Sequence, residues 1–130
     1  MIVTVTVKNR QCIDGEIDVT TLTASGKWEK GILTYETCED GITDRTRLTI
    51  GETVEMERTG ALSSRLTFQK GVTHCCPYGT PYGTLELAVT TQRIVNQLTE
   101  KGGTLRLVYT LNAGGAPIQN EIEIVIKEVS

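Results

Sequence analysis

Apolar and polar residues alternate with a period of two along almost the whole chain. Val3, Val5 and Val7 interleave with Thr4, Thr6 and Lys8, and Ile42, Leu48 and Ile50 with Arg47 and Thr49. The pattern recurs where Leu85, Leu87 and Val89 flank Glu86 and Thr90, and where Leu105, Leu107, Tyr109 and Leu111 enclose Arg106 and Thr110. It returns where Ile122, Ile124 and Ile126 enclose Glu123. Side chains of a strand point alternately to opposite faces, so each run carries one buried and one wet face.

Read this way, strands are expected over Ile2 to Gln11, Glu16 to Glu29, Ile32 to Cys38, Ile42 to Ile50 and Thr53 to Thr59. Further strands follow over Leu62 to Gln69, Thr84 to Gln92, Thr104 to Asn112 and Ile118 to Glu128. Short glycine-bearing connections join them, among them Asp14-Gly15, Lys30-Gly31, Asp40-Gly41, Gly60-Ala61, Gly102-Gly103 and Gly114-Gly115, which suit tight hairpins. Sequential antiparallel strands in this number twist, curl and pair their edges. The expectation is an all-β fold, a single antiparallel up-and-down β-barrel of about eight to nine strands spanning residues 1–130 as one domain.

Three places depart from clean alternation. In the second strand the apolar phase slips from Ile17 and Val19 to Leu22 and Ala24, which calls for a bulge, and Ser25-Gly26 offers a sharp bend. Arg93 to Lys101 has Ile94 and Leu98 four apart, as in a short helix or a continued, bulged strand. Gly71 to Gly83 holds the sole histidine, His74, with Cys75, Cys76, Pro77, Pro81, Tyr78 and Tyr82, and reads as a loop closing one barrel end.

Composition narrows the function classes. A chain of 130 residues buries a single core without a staple. The net charge of −3 comes with cations scattered among acids, so the basic stripe that nucleic acid requires is missing. Met1 leads straight into a strand-like run, with neither a signal-peptide pattern nor a long apolar stretch, and the expected location is the cytoplasm, off the membrane. Cys12, Cys38, Cys75 and Cys76 are then expected as thiols.

From Met56 onward the chain resembles a known family. The segments Met56-Glu57-Arg58-Thr59-Gly60, Arg65-Leu66-Thr67-Phe68-Gln69-Lys70-Gly71 and Tyr78-Gly79-Thr80-Pro81-Tyr82-Gly83-Thr84-Leu85 look like the YwiB-like family of small bacterial proteins of unknown function. Gly103, Tyr109 and Asn120 match its spacing, and Tyr35-Glu36 is loosely similar. The resemblance implies a calycin-like, lipocalin-shaped barrel, and it implies no activity, cofactor or catalytic residue.

Several residues invite chemistry, each with a plain structural alternative. Arg58 follows Val54 and Met56 at spacing two, so it shares their inward phase, as Asp44 shares that of Ile42 and Leu48 and Tyr35 that of Leu33. An interior guanidinium needs a partner. Either Arg58, Tyr35 and Tyr109 line a pocket for a small polar or anionic ligand, or Arg58 pairs with Asp44 or Glu36 or reaches solvent at the barrel mouth. Tyr78 and Tyr82 read as an aromatic cover over one end, gate or plug. Trp28 reads as floor packing.

His74, Cys75, Cys76 and Cys38 include metal-ligand types, but adjacent cysteines in an extended strand point apart, so neither a zinc site nor a thiol pair is favoured. The acidic pairs Glu55 with Glu57 and Glu121 with Glu123 fall on wet faces rather than across a cleft. The reading that results is a non-catalytic barrel binding a small ligand near Arg58, Tyr35, Tyr78, Tyr82 and Tyr109, with no cofactor. The alternatives are a protein-interaction module with a filled barrel and, least favoured, a thiol- or metal-dependent enzyme.

Overall fold

The computed structural model describes residues 1–60 and 63–129, with Glu39 described through its backbone alone. Ala61 and Leu62, at which a turn and a strand start were expected, lie outside the described residues, as does Ser130. The strands are β1 (Ile2–Ile13), β2 (Glu16–Glu29), β3 (Ile32–Glu39), β4 (Ile42–Ile50) and β5 (Val54–Thr59). The second half holds β6 (Ser64–Phe68), β7 (Thr73–Thr80), β8 (Gly83–Thr99), β9 (Gly102–Asn112) and β10 (Ile118–Glu128). Each strand lies beside its neighbour in sequence, and β1 pairs with β10 to close the barrel. The fold is therefore the closed, antiparallel, all-β barrel that the alternation predicts, with ten strands among the described residues rather than eight or nine.

The additional strand is β7. It lies inside Gly71 to Gly83, the stretch expected to leave the sheet as a loop, and pairs with β8 from Thr73 opposite Thr90 to Thr80 opposite Gly83. Its mixed composition hides the alternation, since Cys76 and Tyr78 are its inward residues and Pro77 its outward one. Pro77 is tolerated because the seam with β6 is sparse. Only Ser64 opposite Tyr78 is in ladder register there, and the Thr67 N–H donates to the Cys76 Sγ at 3.4 Å in place of a carbonyl.

The bulge expected in β2 is absent, and of the two alternatives for Arg93 to Lys101 the bulged strand is the one found. β2 pairs with β1 without a slip from Ile2 opposite Lys27 to Ile13 opposite Glu16, so Ile17 and Val19 simply face outward. The register breaks instead in β8, between Thr91 and Arg93. Inward residues are odd before the break (Leu87, Val89, Thr91) and even after it (Ile94, Leu98), so the four-residue spacing that resembles a helix belongs to a bulged strand.

Three hairpins turn on Asp14-Gly15, Lys30-Gly31 and Asp40-Gly41, each with both residues at positive φ, the primed turn whose twist matches that of the flanking strands. At Gly26 a Cβ would lie 2.6 Å from the Thr34 carbonyl oxygen, so glycine there lets β2 swing onto β3. Beyond that point β2 and β3 part, and only Gly26 to Glu29 pair with Ile32 to Tyr35.

The lumen is packed. Val3, Val5, Leu33, Leu48, Val54, Phe68, Val89, Leu105, Leu107 and Ile124 have no solvent exposure and form one contiguous cluster with their neighbours. Rings of Phe68 and Tyr109 meet inside with centroids 4.6 Å apart at 59°. Trp28 sits near the end marked by the β2–β3 turn, where its indole N–H donates to the Thr99 carbonyl at 2.9 Å. The outer wall carries charged pairs such as Arg106 with Glu123 and Arg45 with Glu36. No described helix is long and apolar enough to cross a membrane.

Candidate functional site

Strand register assembles the site. Tyr35 on β3 stands opposite Thr46 on β4, Thr46 opposite Arg58 on β5, Arg58 opposite Ser64 on β6, and Ser64 opposite Tyr78 on β7. Directly paired residues face the same side, and Tyr35 and Thr46 are buried, so this polar rung points into the barrel at the end away from Trp28. Tyr109 approaches from the opposite wall, between Thr91 on β8 and Asn120 on β10, both buried.

Arg58 is the cation of this rung. Its side chain is in the inward phase yet exposed, because β5 ends one residue later and the guanidinium emerges at the mouth. No described carboxylate lies within ion-pairing distance of it. Glu36, one expected partner, is held by Arg45 at 2.7 Å on the outer wall. Asp44, the other, is packed against Gly60, where a Cβ would collide with its carboxylate.

The guanidinium acts on both phenols. Burial raises the Tyr35 pKa above its ordinary 10.0, against hydrogen bonding from Thr46 and the charge and hydrogen bonding of Arg58. Burial pushes Tyr109 up to about 12, with the Arg58 charge opposing. Both hydroxyls are therefore protonated at neutral pH and able to donate.

Beside the rung a cleft of about 300 Å³ runs along the rim, lined by Glu57, Arg58, Ser63, Ser64, Arg65 and Thr84 among others. Larger grooves lie elsewhere: about 620 Å³ at the Trp28 end and about 510 Å³ on the outer wall where β2 and β3 part. None of these is lined chiefly by the inward rows of the barrel, whose centre is filled by side chains.

The structure brings Tyr35, Arg58 and Tyr78 onto one rung and Tyr109 within range of the Arg58 charge. Tyr78 turns inward against the core cluster. Tyr82 does not join them. It occupies the tight β7–β8 turn, fully exposed, with its N–H bonded to Thr80 Oγ1 at 3.2 Å, so the aromatic cover expected from both tyrosines reduces to Tyr78. Thr46 and Ser64 were passed over in the sequence and Asn120 entered only through the family resemblance, although each is in phase with an apolar neighbour two residues on: Leu48, Leu66 and Ile122. Asn120 is 1% exposed, and its Oδ1 has no hydrogen-bond partner.

The thiol constellation does not assemble. Cys76 is buried and Cys75 exposed on opposite faces of β7, and the four cysteines are unpaired. The His74 Nε2 bonds to the Gln69 Oε1 at 2.9 Å, turned away from Cys75. Among the described residues no three metal-ligating side chains converge.

Comparison with known proteins agrees with this architecture. The domain of unknown function DUF1934 matches residues 5–124. The chain belongs to this family. The crystal structure of the ywiB protein from Bacillus subtilis superposes with a TM-score of 0.87 at 24% identity, covering 99% of this chain and 92% of that one, a likeness of fold. No curated protein matches. The DUF1934 barrel of this chain thus carries a polar mouth, built from the rung of Tyr35, Thr46, Arg58, Ser64 and Tyr78.

Proposed function

We propose that this DUF1934 barrel is a non-catalytic binding protein of the reducing cytoplasm. In this reading it takes a small anion, a carboxylate or phosphate, in the rim cleft at Arg58. The observation that carries the reading is Arg58 itself, an inward-phase guanidinium at the mouth with no described carboxylate within 4.0 Å. A bidentate cation beside the hydroxyls of Ser63 and Ser64 matches the oxygens of such a ligand, and the one carboxylate among the cleft's described lining, Glu57, lies 3.7 Å from the Arg65 guanidinium. The packed lumen argues for a ligand at the rim rather than one stored deep in the barrel, and 300 Å³ suffices for a molecule of that size.

Native mass spectrometry of the protein purified from its own host tests this. The expected result is a small-molecule adduct on the wild type that is absent from Arg58→Gln, with both proteins folded. A bare chain in both samples, or the same adduct on both, contradicts the reading. The packed lumen also suits a protein-interaction module, and a bare chain that copurifies with a protein partner would favour that second reading.

A further inference from the structure

The first ten residues of β2 form a free strand edge. From Glu16 to Ser25 the strand pairs with β1 on one side, and no described strand pairs with its other side, because β3 leaves it beyond Gly26. Glu16 to Thr23 are exposed throughout, with Ile17 and Val19 about half exposed and Leu22 at 38%. The groove of about 510 Å³ at the parting of β2 and β3 leaves space beside this edge.

The hydrogen-bonding direction of each residue follows from the ladder. The Trp28 N–H donates to the Met1 carbonyl at 3.0 Å, so even-numbered β2 residues bond β1. Odd-numbered residues Ile17, Val19, Thr21, Thr23 and Ser25 then turn their N–H and C=O groups to the free side. Natural edges are blunted by charged side chains, lysine above all, and by proline, bulges or short length. Charge is confined here to Glu16 and Asp18 at one end, and the rest of the edge has none of these. It is long and without register slip, and from Val19 to Gly26 it is uncharged and rich in threonine.

We infer that this edge pairs with the same edge of a second copy of the chain, antiparallel about a two-fold axis at Thr21, joining two barrels through one continuous ladder. The edge is self-complementary in that register. Thr21 meets the partner's Thr21, Val19 the partner's Thr23 and Ile17 the partner's Ser25, so every outward-turned group finds another and about ten backbone hydrogen bonds form, two per facing pair. The acids are spared. Asp18 falls opposite the partner's Ala24, and Glu16 lies past the last facing pair, where the partner's β3 takes over at Gly26, so no like charges oppose despite the net −3 of each chain. The contact does not involve the Arg58 cleft, so it stands or falls apart from the anion reading.

Sedimentation velocity of the full chain at high micromolar concentration tests it. The wild type should run at twice the 14.2 kDa monomer mass. Thr21→Pro and Thr21→Lys should run as monomers with unchanged circular dichroism, since the Thr21 N–H is not used by β1. Thr49→Lys, on the outer face of β4, should remain dimeric. Should Thr21→Pro fail to fold, Thr21→Lys decides. A monomeric wild type, or a dimer that survives Thr21→Lys, overturns the proposal.

Discussion

At the residue scale, position in the alternation decides what each side chain contributes. Arg58 shares the phase of Val54 and Met56, but it stands at the end of β5, and its solvation there removes the desolvation cost that an interior arginine would carry. Arg58→Gln should therefore cost at most about 1 kcal/mol in urea unfolding, as a surface change does; a loss of about 3 kcal/mol or more would mean that the guanidinium is buried against a partner. Tyr109 behaves oppositely. Its folded-state pKa of about 12 exceeds the ordinary 10.0, so the folded state holds its proton more tightly than the unfolded chain. The associated stability, roughly 2 to 3 kcal/mol, is fully present below about pH 10 and is lost as pH rises through about 12. Urea midpoints of wild type should fall across that window, and Tyr109→Phe should fall less; equal slopes would place the phenol in water.

At the element scale, the hairpin turns and the long alternating strands were legible because each rests on local chemistry: Asp-Gly and Lys-Gly turns and period-two burial. β7 was not. Its inward residues are a cysteine and a tyrosine, its outward ones include a proline, and the pairing that makes it a strand comes from β8. The β8 bulge was half legible, since the switch from odd to even apolar positions is written in Val89 and Ile94, but spacing alone did not separate a bulge from a helical turn. The sparse β6–β7 seam leads to a dynamic expectation: amides of Thr67 and its neighbours should exchange with solvent ahead of those in the fully laddered β1 and β10, and uniform protection would contradict the seam. Gly26→Ala should cost about 1 to 3 kcal/mol, because its methyl meets the rigid Thr34 carbonyl, and a neutral result would show that β2 and β3 are not so closely crossed.

At the scale of the whole molecule, closure follows from the number of sequential hairpins, and the chain's own alternation carries most of the fold. The site was less legible. Tyr35 and Tyr109 could be placed inward by phase, whereas their convergence with Thr46, Arg58 and Ser64 depends on strand register, which no single strand encodes. Tyr82 looked equivalent to Tyr78, but the turn between β7 and β8 sends it into solvent. The most direct test of the anion cleft is isothermal titration of citrate and of inorganic phosphate into wild type and Arg58→Gln. Loss of one charge-assisted contact, about 1.5 to 3 kcal/mol, predicts saturable binding of one of these anions to wild type that weakens roughly ten- to hundredfold in the variant. Equal affinities in the two proteins, or no binding to wild type, would contradict it.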